Sequence, residues 1–582
     1  MAPTDASGKE PFYTRYVPWL LAFIFSLLIS VGIVAPFFWR GVASGHDFEF
    51  HATSWLDVAE QWKEGIVYPR WMESANHGFG EPRFIFYPPF SWMLGPALSF
   101  VVPWDYVPAA FIVLVQTFAG FSAFAFARRL LPGRASIFAA VCYAANPNAL
   151  LMIYFRSDYA ELLACALFPL LFLAALQLAG MAEDVRGSFS KNLIFFAAVF
   201  AAVWLSNAPA GVLTTYSVTL LFLSAGVAQK SARPLVRGVL GLILGFGLTG
   251  FYIVPAAYEQ RWVNIAQALS PGLLPSENFL YTSTNDPEHT FFNYIASTIG
   301  VGLVILTGLA AIAARRTNLD SAEKPSLAWV WGIFLGLAVV STALMLRPTT
   351  VFWKLLPKLR FVQFPWRWMS ILTLPFLYFL TAAVGSHRRS RWLWGVACAA
   401  LVVGTGAFLV EHTWWDDEDT TTLRAALASG EGFDGADEYD PLGDDHYNLP
   451  KDAPRVRLLP PDPVVAAPSS SGTQVKVSYE RWTAEVRQIR INSSKPVRLE
   501  LRLLDYPAWH VQVNGSPVTP EHAEDSAQII VPVAAGESVI TARFTRTFDR
   551  TIGALISWAT VIFLLILYVT SRRRNVPQTG TP

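Results

Sequence analysis

His46, Asp47, Glu49 and His51 fall within six consecutive positions of the stretch GHDFEFHATSW, residues 45–55. Side chains of these types do three kinds of work. A carboxylate such as Asp47 serves as a general base when neighbours and partial burial set its pKa. Imidazole and carboxylate groups together supply N and O ligands to a metal ion, which makes a divalent cation a candidate on His46, Asp47, Glu49 and His51, although the spacing matches no zinc signature. In an ordinary interface loop the same acids pair with Lys63, Arg70 or Arg83. The cluster follows directly on an apolar run, Val17–Trp39, long enough to cross a bilayer. Ionisable groups beside hydrocarbon are costly and usually have a partner or a task.

The elements that must position these residues are membrane helices. The chain of 582 residues is 53% hydrophobic and only 15% charged, below the roughly 25% charge of soluble domains. Its apolar residues gather in runs of about 20, the length a spanning helix needs. This predicts a polytopic α-helical membrane protein with about twelve spans. They lie near 17–39, 107–127, 135–152, 160–180, 192–206, 211–228, 236–256, 291–314, 327–346, 367–385, 392–410 and 552–570. The Pro-broken segment 88–102 is shorter and reads as re-entrant or interfacial. The first run is too long for a signal-peptide core and lacks a small-residue cleavage site, so it counts as a span. Cys142, Cys165 and Cys398 all lie inside apolar segments, and neither a disulfide framework nor a Cys-based metal site follows.

Alternate loops are basic: RRLLPGR, QKSARPLVR, RRTNLDSAEK, HRRSR and SRRR. The positive-inside rule makes them cytoplasmic in an inner-membrane protein with both termini inside. The expected organisation is then a multi-span domain over 1–410 with a first outer loop at 40–106. It continues with an acidic outer connector over 411–472, an outer antiparallel β-sandwich over 473–550, and a last span with a basic tail over 551–582. The sandwich is read from alternating runs such as QVKVSYERW and VRLELRLL and from the Asn514–Gly515 turn. The net charge of +1 is uninformative because charge is segregated by loop; no nucleic-acid partner is expected.

Two further outer segments carry charge. RPTTVFWKLLPKLRFVQFPWR holds Arg347, Lys354, Lys358, Arg360 and Arg367 and no acid. Cations on the side that the positive-inside bias disfavours suit either an anionic ligand or the headgroups of the outer leaflet. Lys354 and Lys358 would share a face if that part is helical, and Arg367 could fork onto a phosphate. NPNALLMIYFRSDYAE carries Arg156, Asp158 and Glu161 and reads as an internal ion pair at a span mouth.

Taken together, GHDFEFH, YPRW, NHGFGEP, FYPP, RSDYAELLACALFPL, FVQFPWRW and LLDYPAWHVQVNGSPV resemble the 6-pyruvoyl-tetrahydropterin synthase-related bacterial membrane proteins, which are similar to YfhO-type proteins. Those families in turn look like the GT-C integral-membrane glycosyltransferases. The resemblance implies a GT-C-like fold and transfer of a sugar from a polyprenyl-phosphate carrier in the bilayer, at the outer face, to a glycan, lipid or protein acceptor. It matches Asp47 to the catalytic base and Glu49 to the second acid. It leaves Arg367, Arg360, Lys358 and Lys354 for the donor phosphate, with His46, His51, Asn76, Tyr87, Arg156 and Glu161 toward the acceptor or in support. The flanking histidines are not a general feature of that superfamily. A transporter of lipid-linked glycans and a non-catalytic envelope assembly protein are the competing readings.

Overall fold

The computed structural model describes residues 12–131, 135–182, 188–319, 325–384, 388–443, 449–459, 475–523 and 526–574. The loop residues 132–134, 320–324 and 385–387, connector residues 444–448 and 460–472, and tail residues 575–582 lie outside them. Ten described helices are long and apolar enough to cross a membrane, or twelve if each of two bent pairs is one span. Their burial sorts them into layers. Pro365–Val384 is fully enclosed by other helices, whereas Arg391–His412 and Phe548–Arg572 are only 11% and 17% buried. The enclosed helices can therefore carry polar side chains, and the outer ones present apolar faces to lipid.

The run expected as one span at 236–256 is Arg233–Leu248 followed by Gly250–Trp262, bent by 76°; the run at 327–346 is followed by a second helix, Arg347–Leu355, after a 92° bend. A broken helix leaves backbone groups unpaired, which is tolerated only where protein covers them. Here the last helix, Phe548–Arg574, does so. Ser557 Oγ accepts from Phe251 N (2.9 Å) and lies 3.1 Å from the carbonyls of Gly247 and Leu248. The helices meet at Gly250 and Gly553, where a Cβ on Gly553 would stand 2.5 Å from the Gly250 carbonyl oxygen. Below that crossing, Arg550 forks onto the buried Glu259 with two 2.7 Å bonds, and Tyr506 donates to the same carboxylate.

Eleven strands are described. A two-residue ribbon pairs β1 (Val42–Ala43) with β2 (Trp415–Asp416) and ties the first loop to the connector. The others build two antiparallel sheets. One is ordered β3 (Val456–Leu459), β6 (Val497–Leu504), β10 (Gln528–Val533), β9 (Glu521–His522); the other is β4 (Val475–Thr483), β5 (Val486–Ser493), β11 (Gly536–Phe544), β7 (Trp509–Val513), β8 (Ser516–Pro517). Alternate residues such as Ile489 and Ile491, Leu499 and Leu501, Ile529 and Val531, and Ile540 and Ala542 fill the space between them. Strand β3 comes from the connector.

That core is completed from far away in sequence. Trp71, fully buried, stands 5.6 Å from both Trp509 and Phe544 and 5.9 Å from Tyr506. Phe79, Ile85 and Phe86 of the first loop belong to the same cluster. Phe79 also accepts from Leu504 N (3.1 Å) through its carbonyl.

The first loop is organised by the helix Phe48–Lys63. Near its far end, Asp57 accepts from Ser74 N (2.8 Å), Ser74 Oγ (2.5 Å) and Gln61 Nε2 (2.5 Å). Burial pushes its carboxyl up from 3.8 to about 6, against the opposing hydrogen bonds from Ser74 and Gln61. The folded state thus keeps a proton that the unfolded chain releases above its ordinary value. The stability from this proton is complete below about pH 4 and disappears as pH rises through about 6, roughly 3 kcal/mol in all. Thermal midpoints of the purified protein at pH 5 and pH 7.5 should therefore differ more in the parent than in Asp57→Asn. An identical pH response in the two would remove Asp57 as the source.

Candidate functional site

The GHD and FRSD stretches are zipped together by their backbones. His46 N donates to the Phe155 carbonyl (3.2 Å) and Asp47 N to the Arg156 carbonyl (2.7 Å). Gly45 N donates to Ser157 Oγ (3.0 Å), which in turn donates to the Ala43 carbonyl (2.7 Å). Gly45 is required by this approach, since a Cβ there would stand 2.5 Å from the Phe155 carbonyl oxygen. On the facing side the chain makes a π-helical turn at Met152–Arg156 and then places Ser157 at φ 51°, the kind of local irregularity that gathers at working sites. Asp158 then caps the helix Tyr159–Ala179 by accepting from Glu161 N (2.8 Å).

This arrangement gathers five charges. The Arg156 guanidinium reaches Asp47 Oδ2 (2.7 Å), Asp158 Oδ2 (2.9 Å) and Glu161 Oε2 (2.8 Å). Arg367 Nε donates to the same Glu161 oxygen (2.9 Å), and its Nη2 lies 3.5 Å from Asp158. Ser370 Oγ donates to Glu161 Oε1 (2.9 Å). Two guanidiniums face three carboxylates, so one formal negative charge remains. Four of the five side chains are at most 6% exposed; Asp47, at 36%, is the one that faces outward. Its Oδ1 has no hydrogen-bond partner among the described residues. Burial pushes Asp158 up, but Arg156, His51 and Arg367 together outweigh it and hold the carboxyl well below the usual range.

The four residues of the opening cluster diverge: His46 and Asp47 precede the helix Phe48–Lys63, and Glu49 and His51, two residues apart on it, are about 200° apart around its axis. His46 is exposed and packs edge-on against Phe292 (5.0 Å) and Trp414 (5.8 Å). Desolvation by the rings packed on one side lowers its pKa, Asp47 opposing this and Arg156 and His289 adding to it. Glu49 is exposed and turned toward Asp434 and Asp419; partial burial and those acids raise its pKa. His51 is buried, with Nε2 3.7 Å from Asp158 Oδ1. Among the described residues no three His, Cys, Asp or Glu side chains form a group that could hold a metal ion.

A cavity of about 290 Å³ opens beside His46, lined by Phe155, Glu288, Phe292, His412 and Trp414 as well. Local sequence carried no signal for His412, Trp414 or Phe292 as neighbours of the first loop. Of the basic segment, FPWRW is brought to this place: Trp366 lies 5.4 Å from Phe292, and Arg156 sits 5.1 Å over the Trp366 ring. Arg367, read from the sequence as a phosphate ligand, turns its guanidinium to Glu161, Asp158 and the Val362 carbonyl (2.9 Å). Lys354, Lys358 and Arg360 are exposed. The helix carrying Lys354 ends at Leu355, before Pro357, so Lys354 and Lys358 share no helical face. Lys358 Nζ lies 3.5 Å from Gln260 Oε1.

Asn76 and Tyr87 hold the first loop together. Asn76 Nδ2 donates to Asp440 Oδ1 (2.8 Å) of the connector. The Tyr87 ring packs on Phe50 (4.7 Å) and His51 (5.8 Å), and burial raises its hydroxyl pKa. Arg83, paired with Glu81 (2.5 Å) and lying over the Phe50 ring (4.4 Å), fixes the same helix from below.

A family model described as 6-pyruvoyl-tetrahydropterin synthase related domain, membrane protein, matches residues 84–413. No curated protein matches the chain. Among solved structures, the arabinofuranosyltransferase AftD from Mycobacteria is similar at 16% identity and a TM-score of 0.44, over 72% of this chain and 29% of that one. The Archaeoglobus fulgidus oligosaccharyltransferase is similar at 13% identity and a TM-score of 0.43, over 72% of this chain and 58% of that one. ArnT from Cupriavidus metallidurans, bound to undecaprenyl phosphate, is similar at 12% identity and a TM-score of 0.27, over 68% and 78%. The chain thus spans less than two thirds of the length of the first two.

Proposed function

The chain belongs to the 6-pyruvoyl-tetrahydropterin synthase-related family of membrane proteins, and from that premise we propose that it is a glycosyltransferase of the GT-C type, drawing on a sugar carried by a polyprenyl phosphate. The observation that carries the reading is Asp47. It is a carboxylate held by one oxygen on a buried arginine, with the other oxygen unpartnered among the described residues, and its chain neighbour His46 lines an aromatic-walled cavity. Such a group is built to take a proton without moving.

In the proposed reaction Asp47 Oδ1 removes the acceptor hydroxyl proton. The acceptor oxygen forms the new bond to the anomeric carbon from the face opposite the phosphate, so the centre inverts. The bond from that carbon to the phosphate oxygen breaks, and its electron pair leaves with the polyprenyl phosphate. Arg156 holds Asp47 aimed through its 2.7 Å contact with Oδ2. Arg367 acts at one remove, by fixing Glu161 and Asp158 around Arg156. Lys354, Lys358 and Arg360 are the exposed cations available to an approaching phosphate. No step is routed through a divalent cation, because the four ligand-type side chains of the first loop diverge.

The proposal places the first loop and the sandwich outside the cytoplasmic membrane and both termini inside. Reporter fusions after Arg391 and near Asn514 should report opposite sides; the same side for both would overturn this orientation. The activity is tested with purified protein and polyprenyl-phosphate sugars in lipid nanodiscs, with and without EDTA. Release of polyprenyl phosphate that depends on an added envelope-type acceptor supports it. Lipid-linked glycan crossing the bilayer intact would favour a transporter instead.

A further inference from the structure

A second cavity, of about 700 Å³, lies between the bent pair, the last helix and the sandwich. It is far from Asp47. Gln61 donates to the Trp71 carbonyl (2.7 Å), which puts Arg70 near the end of the first-loop helix, roughly 20 Å from Asp47 at 1.5 Å per residue. One end of the cavity is polar, with Arg70, Arg546, Arg550 and Glu485. The other is apolar, with Leu248, Phe251, Trp558 and Val561.

The charges at the polar end are unequally satisfied. Arg550 is taken by Glu259. Arg546 is exposed at the rim and donates only to the Arg550 carbonyl (3.3 Å) among the described residues. Arg70 has no ion pair among the described residues. Its guanidinium lies 4.4 Å over the Tyr68 ring, and its Nη1 is buried without a hydrogen-bond partner. Glu485 shares the cavity but makes no ion pair with Arg70. Counting Asp549, buried beside Glu259, three guanidiniums face three carboxylates, and Arg70 is the one of the three without an ion pair or hydrogen bond among the described residues. A half-buried guanidinium with one orphan, fully covered N–H, at the head of a groove walled by helices that face lipid, suits an anion that arrives with a hydrocarbon tail.

We propose that this groove seats the headgroup phosphate of an anionic phospholipid. Arg70 and Arg546 meet the phosphate, and the acyl chains lie along Phe251, Trp558 and Val561. The planar fork of arginine suits two phosphate oxygens. The apolar wall is what a free phosphate would leave unused. The site is independent of the chemistry proposed for Asp47.

The test uses the full-length protein in an uncharged detergent. Bound lipid is read by native mass spectrometry and by thermal midpoint against added lipid. Phosphatidylglycerol should bind about tenfold more tightly than phosphatidylcholine with the same chains, because both offer the phosphate but choline would bring a quaternary ammonium against Arg70 and Arg546. Arg70→Gln should erase most of that preference. Its lipid-free midpoint should equal or exceed the parent's, because a half-buried cation with no ion pair among the described residues has been removed. Arg546→Gln, at an exposed position, should lose a smaller part, and decides the matter if Arg70→Gln does not fold. Equal binding of the two phospholipids, or a preference untouched in both variants, overturns the proposal. So does inorganic phosphate reproducing the midpoint shift, or polyprenyl phosphate displacing phosphatidylglycerol at equal concentration.

Discussion

Asp47→Asn should slow sugar transfer by about 10²–10⁴-fold, the usual worth of a positioned base, while the protein still inserts and folds. The amide is nearly isosteric but cannot accept the acceptor's proton. Folding should survive for a specific reason. The cluster holds two guanidiniums and three carboxylates, so losing the most exposed carboxylate balances the charges rather than stranding one. An Asn oxygen can still accept from Arg156 Nη2, and the backbone bond from residue 47 to the Arg156 carbonyl is untouched. The loss should fall on kcat with the donor KM little changed, since the proton moves only in the transition state. Wild-type turnover by the Asn variant would take Asp47 out of the mechanism.

Arg156→Met acts on the same cluster with the opposite balance. Asp158 and Glu161, buried at 3% and 2% exposure, would keep Arg367 as their one guanidinium, and Asp47 would lose its only ion-pair partner among the described residues. Breaking a buried pair from one side typically costs 3–5 kcal/mol. The variant should therefore melt well below the parent in detergent and lose transfer as well. Adding Glu161→Gln to Arg156→Met should restore part of the stability, because it removes one stranded charge; the two changes are coupled and should not add. An Arg156→Met protein as stable as the parent would mean that the cluster contributes nothing to folding.

The parts of this architecture written in local sequence are those set by length and period. Twelve apolar runs were countable because a span needs about 20 residues, and the sandwich strands showed their alternation. The bends were not evident: GLILGFGLTG and the LRPTT junction keep the hydropathy of a span while Gly and Pro loosen its helix. The opening cluster was legible as residue types only. Its sorting depends on Gly45, which lets residues 46 and 47 pair with Phe155 and Arg156 across more than a hundred positions. No single segment encodes that pairing. Arg156, Asp158 and Glu161 did read as an internal ion pair at a span mouth. That Arg367 and Ser370 join them from another helix required the fold.

Trp71 completes a core most of whose members, from Leu449 to Phe544, are made near the end of synthesis. At about 5–20 residues per second, the roughly 440 residues between Trp71 and Trp509 take on the order of 20–90 s to appear. Through that interval the first loop can form its helix but has nowhere to bury its tryptophan. The setting of Asp47 is thus tied in time to the last part of the chain. A protein that stops before the sandwich would carry every residue of the candidate site and still lack the packing that closes the first loop over it.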